Sequence, residues 1–211
     1  MRFLFDPDSQ IMRFLARLAD LVILNVVFLF TCLPLFTIGA AVSALYSVVF
    51  AMDTQREGKT LPTYFRAFRE NFRQGTVLGL ILGAIGLVLV LDFQLLGQLE
   101  GRFALVKYLL YLAALCWAGV STFAFGLAAR FRNTLGRILK NALLLAVSML
   151  PRTVLMVLID AAPVLLLLVA PELFGRSFIA WLLVGFAACA QAKVWVLRDV
   201  FAALPEKEET A

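Results

Sequence analysis

The chain has 211 residues, 63% of them hydrophobic and 16% charged, with a formal net charge of +5. A water-soluble domain carries about 25% charged residues and is less than half apolar, so this composition excludes an ordinary soluble enzyme or binding module and points to lipid as the solvent. The positive charge does not imply nucleic acid: it sits in short segments beside apolar blocks, the pattern that orients a membrane protein, and no nucleic-acid partner is expected.

Stretches nearly free of charge cover 21–36, 39–52, 75–97, 103–129, 141–170 and 177–197. Blocks of this length are what a helix needs to cross about 30 Å of hydrocarbon. The fold class predicted is all-α: a polytopic membrane helix bundle of about six transmembrane helices, at 17–34, 39–53, 75–97, 103–129, 142–170 and 177–197. One domain covers 1–204, and 205–211 is expected to be a disordered cytoplasmic tail. The first block is not a removable signal peptide, because Arg13, Arg17 and Asp20 precede it and no small-residue cleavage pattern follows.

In chain order, the first helix is expected to be capped by Asp8 or Ser9 and to end at Pro34. Pro34 to Gly39 then forms an outer turn, and a short second helix follows with Gly39, Ala40, Ala41, Ser43 and Ala44, small residues that let backbones approach where lipid removes the hydrophobic driving force. In Leu61 to Gln74, Pro62 suits a first helical turn. Phe65, Phe68 and Phe72 fall within about 60° on a helical projection, with Arg66, Arg69 and Arg73 about 90° around, which describes an interfacial amphipathic helix. The third span follows directly, then a turn at Gly97 to Gly101 and a fourth span with Gly119, Ser121, Thr122 and Gly126. Residues 130–142 repeat the basic amphipathic theme, with Asn133 and Asn141 in it; Asn71 and Asn141 occupy similar places. This reads as a weak internal repeat, Gly39 to Phe93 and Gly119 to Asp160.

The stretch from Asn141 to Ala170 would be about 45 Å long as one helix, too long for an upright span. It must break, tilt or protrude, with Pro151 and Pro163 as the natural break points. Two readings stay open: a span from Thr153 to Val169 with Arg152 at the interface, or a span from Ala142 to Asp160 with the rest dipping back from outside. Counted loop by loop, fifteen Lys and Arg lie on one side and three on the other, with Arg152 unassigned. Lys193, Arg198 and Lys207 were placed with the fifteen, so both termini are expected in the cytoplasm of a bacterial cell.

Asn25, the turn Leu33-Pro-Leu-Phe-Thr-Ile-Gly-Ala40, Leu45-Tyr46, Tyr64-Phe65, Phe68-Arg-Glu-Asn-Phe-Arg73, Asn133-Thr134 and Lys140-Asn-Ala142 together resemble the YesL family, small bacterial membrane proteins of unassigned biochemical function. The resemblance covers most of the chain. It implies an accessory role beside carbohydrate uptake systems of the ABC type, an association that carries no chemistry.

Several features have a functional and a plain reading. Asp92 and Asp160 are ionisable groups in or at the end of apolar blocks, costly unless paired or wet. Asp92 is expected at the outer interface; Asp160 has Arg152 or Lys193 as possible partners. Thr37 and Gly39 either shape a ligand-lining turn or make a plain hairpin. The two basic segments either dock a partner, as a permease's coupling helix meets its ATPase, or anchor to headgroups; Ser148-Met-Leu-Pro151 has a faint likeness to such a permease loop. Cys32, Cys116 and Cys189 lie in apolar blocks and the chain has no His, so no metal or cofactor is expected. There is no Gly-x-Ser-x-Gly elbow, phosphate loop or paired carboxylates, and hence no catalytic residues or enzyme activity are expected. The reading that results is a non-enzymatic accessory protein binding an ABC permease or another membrane protein. The alternative is a small transporter or channel acting as a homodimer with intramembrane carboxylates.

Overall fold

A computed structural model describes residues 10–54, 59–97, 104–131 and 133–202. The regular elements among them are all helical: α1 (Gln10–Cys32), α2 (Ile38–Asp53), α3 (Thr60–Gly97), α4 (Ala104–Arg130), α5 (Leu135–Ser148), α6 (Leu150–Val169), α7 (Pro171–Ala180) and α8 (Phe186–Ala202). A 3-10 turn at Leu35–Thr37 leads into α2, and a π-turn at Trp181–Gly185 joins α7 to α8. Six stretches are long and apolar enough to cross a membrane: Ile11–Cys32, Leu35–Asp53, Thr60–Leu96, Leu105–Arg130, Leu150–Val169 and Pro171–Val200. Large apolar side chains such as Phe14, Leu87, Leu105, Leu168 and Ile179 cover the exterior. Water facing that much hydrocarbon would oppose folding at about 25 cal/mol per Å², so lipid is the solvent this surface fits. The expected cap at Asp8 or Ser9, the turn through 98–101 and the tail from Pro205 lie outside the described residues.

The most enclosed helix is α2, whose Gly39, Ala40, Ala41, Ser43, Ala44, Leu45, Tyr46, Val48 and Val49 are all buried. Its small residues admit α3 to backbone contact. A Cβ on Gly39 would lie 2.0 Å from the Gly75 carbonyl oxygen and 2.8 Å from the Gly79 Cα, and one on Gly75 would lie 2.8 Å from the Ala40 Cα. Gly75 and Gly79 are one helical turn apart on the same face, so both meet α2. The next in the row, Gly83, has open space around it.

The first amphipathic segment is not separate from the third span. It is the beginning of a single helix of 38 residues, about 57 Å long. Its Tyr64 and Ala67 are buried among residues of α1, α2 and α8, and Thr60 Oγ1 donates to Asp20 Oδ1 at 2.7 Å. No proline interrupts 63–97, so nothing stops the helix where the polarity changes.

The second amphipathic segment is likewise no cytoplasmic loop. α5 folds back along α4, burying Ile138, Ala142 and Ala146 against a cluster that includes Phe123, Ala124 and Leu127. The stretch 142–170 is divided at Met149, whose φ of −122° and ψ of 46° leave the helical region. Pro151 then occupies the first turn of α6, where its missing N–H matters least. Pro163 lies inside α6 without ending it. The two halves of the repeat thus share an element order but are joined differently, continuously in α3 and by a break between α5 and α6.

Contacts fix the helix directions. Arg17 Nη2 donates to the Met52 carbonyl at 3.0 Å while Thr37 Oγ1 reaches the Thr31 carbonyl, so α1 and α2 are antiparallel. Gln74 meets the Asn133 carbonyl and Phe93 stacks near Tyr111, so α3 and α4 are too. Thr153 lies beside Gly119 and Asp160 beside Thr122, where α6 crosses α4. Pairs between Asp160 and Lys193 and between Arg152 and Asp199 make α8 antiparallel to α6. Some basic positions counted as loop charges belong to packed helices instead: α5 lies along α4, and Lys193 is buried.

Gly39→Leu is expected to destabilise the protein by about 1–3 kcal/mol or more by forcing α2 off α3, whereas Gly83→Leu leaves it unchanged; melting in mild detergent, followed by size-exclusion chromatography, measures both. Reporter fusions at the two ends are expected to register the same face of the membrane, as six spans require.

Candidate functional site

Four helices bring polar groups together in the apolar interior. Lys193 of α8 donates to Asp160 Oδ1 of α6 at 2.5 Å, and Thr122 of α4 donates to Asp160 Oδ2 at 2.9 Å. The Lys193 ammonium lies 5.1 Å from the centroid of the Tyr46 ring of α2, within cation–π range. The pair is unequally enclosed, the Lys193 side chain 10% exposed and that of Asp160 42%. Local sequence explains the convergence: on α8, Phe186, Ala190, Lys193 and Leu197 recur at helical spacing, and buried Ala187 and Ala190 let α8 close on α2. A cavity of about 290 Å³ opens beside the cluster, walled mainly by Phe28, Trp117, Phe125 and Phe186, with Tyr46, Asp160 and Lys193 as its polar part.

A second polar key holds α1 to α8. Asn25, fully buried, donates from Nδ2 to the carbonyls of Leu182 at 2.7 Å and Trp181 at 3.3 Å, and its Oδ1 accepts from the Ala187 N–H at 2.9 Å. These are backbone groups that the π-turn takes out of the ordinary ladder.

The other predicted residues are placed as follows. Pro34 is exposed at the head of the turn; Thr37 is buried, with Oγ1 donating to the Thr31 and Pro34 carbonyls at 2.5 and 2.6 Å. Gly39 serves the crossing with α3. Phe65 and Phe72 are exposed, Phe68 stacks on Tyr64 with centroids 6.3 Å apart, and Arg69 is exposed. Asn71 donates to its own helix at the Ala67 carbonyl, 3.0 Å away. The Asn133 carbonyl takes the Gln74 side chain, and Asn141 is exposed. Arg152 lies 3.9 Å from Asp199 rather than beside Asp160. The turn, the basic segments and Asp160 are therefore separate places, and only Asp160 enters the cavity. Tyr46 belongs to the resemblance and Thr122 to the small residues of the fourth span, but neither is a site candidate by sequence: an ordinary aromatic and a small hydroxyl in apolar helices give no sign of a site until the fold sets them beside a charge. Among the described residues no three His, Cys, Asp or Glu side chains come together as a metal site.

Residues 21–93 match the family described as "Protein of unknown function, DUF624". That match spans α1 from Leu21, all of α2 and α3 through Phe93, so it includes Asn25, the Pro34 to Gly39 turn, Tyr46 and the glycine crossing. Comparison with curated proteins and with solved structures finds no match.

Removing one member of the ion pair leaves the other without its counter-charge. Asp160→Leu strands the enclosed Lys193 and is expected to destabilise by about 3–5 kcal/mol; Lys193→Met leaves the partly exposed Asp160 still held by Thr122 and is expected to cost less, with the double variant well below their sum. A double-mutant cycle on detergent-solubilised protein measures the difference. Asn25→Leu, which removes three hydrogen bonds to the π-turn, is expected to cost about 1–3 kcal/mol in the same assay.

Proposed function

We propose that this chain is a non-enzymatic member of the YesL family in the bacterial plasma membrane, with the Gln10 end of α1 on the cytoplasmic side, serving as an accessory subunit of a carbohydrate uptake system of the ABC type. The observation that supports this best is the outer face of α3. Phe65 and Phe72 are 53% and 40% exposed beside exposed Arg66, Arg69 and Arg73. Tyr64 and Ala67, on the opposite face, are buried, so the helix is held rigidly while it presents aromatics and guanidinium groups outward. Such a face suits a partner protein with acidic and apolar surface. Anionic headgroups compete for the same face. Co-purification from mild detergent tests the reading: a permease-type membrane protein is expected to elute with the wild type and to be lost with the Arg66→Glu, Arg69→Glu double variant. A chain that elutes alone or only with itself counts against it.

The cavity that reaches Asp160 favours a second reading, a small transporter or channel acting as a homodimer. An ionisable pair inside apolar helices is a default sign of a ligand or ion pathway. Flux into proteoliposomes that falls with Asp160→Asn and is unchanged by Arg152→Gln is the expected outcome, and absence of flux for sugars and ions removes it.

A further inference from the structure

The cavity beside Tyr46 carries hydrogen-bonding capacity that the protein does not use. Tyr46 is 1% exposed; the Lys193 ammonium is the polar neighbour of its Oη, and with an ammonium able only to donate, the Tyr46 O–H itself has no acceptor within the protein. A buried hydroxyl in that state costs free energy that an incoming acceptor recovers. Lys193 brings three N–H donors, one of them directed to Asp160 Oδ1. The other hydroxyls on the wall are already engaged: Ser121 donates to the Trp117 carbonyl at 2.7 Å, and Thr122 to Asp160. What remains on offer is a surplus of donors at one end of a chamber whose other walls are aromatic carbon.

We propose that this cavity is a binding site for a small neutral amphiphile, an apolar body bearing one oxygen acceptor such as a hydroxyl, carbonyl or ester. At about 30 Å³ for each water-sized group, the cavity's volume of about 290 Å³ admits roughly ten non-hydrogen atoms. Lys193 and Asp160 cancel in charge, so an anionic guest would add an unpaired charge to an apolar interior. A sugar would set most of its hydroxyls against Phe28, Phe125 and Phe186 with no partner. The chemistry selects for one polar contact and many apolar ones. Entry is from the Asp160 side, where the carboxylate is the partly exposed member of the pair.

The inference rests on the second reading above, and photolabelling separates the two. Full-length protein in phospholipid vesicles is irradiated with a diazirine-bearing octanol, and the labelled peptides are located by mass spectrometry. Saturable labelling of α4 and α8 segments around Phe125 and Cys189, displaced by plain octanol, is the expected result. Displacement by added phospholipid instead identifies an acyl ester with the same chemistry as the occupant. Tyr46→Phe keeps the ring and removes Oη, and is expected to weaken displacement about fivefold, the size of one hydrogen bond. Val157→Phe fills the chamber and is expected to abolish the saturable component while the protein stays monodisperse. Saturable labelling without flux leaves the site standing and removes transport. Labelling spread evenly over the lipid-facing helices, with no change in either variant, overturns the site even where flux is present.

Discussion

Hydrocarbon cannot hydrogen-bond a peptide group, and each interruption of a helix in this chain has to be repaired from within. The 3-10 turn after α1 frees the Thr31 carbonyl, and Thr37 Oγ1 takes it. The break at Met149 frees the Ala146 carbonyl, and Thr153 Oγ1 takes that at 2.9 Å. The π-turn shifts the backbone ladder, and Asn25 bonds to two carbonyls and an amide there across 156 to 162 residues of sequence. Local hydroxyls repair local breaks; only the third repair joins distant helices, and it therefore fixes how α1 sits on α8.

Close backbone approach supplies what polar contacts do not. Lipid tails are as apolar as leucine, so helices in a membrane gain little from hiding leucines and more from van der Waals contact along small residues. Gly39, Gly75 and Gly79 bring α2 and α3 into direct contact, and α2, wedged between α3, α4 and α8, then carries Tyr46 to the centre. On the far side α3 and α4 continue together: Trp117 lies over Gly86 and donates to the Leu82 carbonyl at 2.8 Å. Among the described residues from 80 to 116 only Leu82, Gly86 and Leu110 are buried, so lipid or another apolar surface has to cover that hairpin.

Helices and their solvent were legible in the sequence because both follow from block length and composition. The turn at Pro34 to Gly39 was legible for the same reason that it forms, since Pro34 ends one helix and small residues begin the next. Less of the site could be read. Asp160 stands out as a charge in an apolar block, and Lys193 was named as one of two partners; only the fold selects it over Arg152, which lies nearer in sequence but pairs with Asp199. The positive-inside rule counts charges on the premise that they lie in loops, and not every basic residue here does. Lys140 and Arg137 belong to a helix packed on α4 instead, and their exposed positions look the same in sequence as those of a cytoplasmic segment. Periodicity gave α5 its buried face; it could not say what that face meets.

Stability alone does not account for Lys193 and Asp160. A buried ion pair returns in Coulomb attraction about what it loses in desolvation, and apolar side chains of similar volume would pack between α6 and α8 as well or better. What the pair adds is asymmetry. Lys193 is closed in by Tyr46 and α2, while the Asp160 carboxylate reaches the cavity mouth, held by one ammonium and one hydroxyl. Of the two, the carboxylate is the group able to exchange partners without opening the bundle, because Thr122 and Lys193 both stay in place when it turns. The lysine, by contrast, is nearly enclosed between α2 and α6. A change at the cavity mouth therefore acts first on α6, which is tied to α5 through Met149 and the Thr153–Ala146 hydrogen bond, and leaves the crossing of α2 on α3 undisturbed.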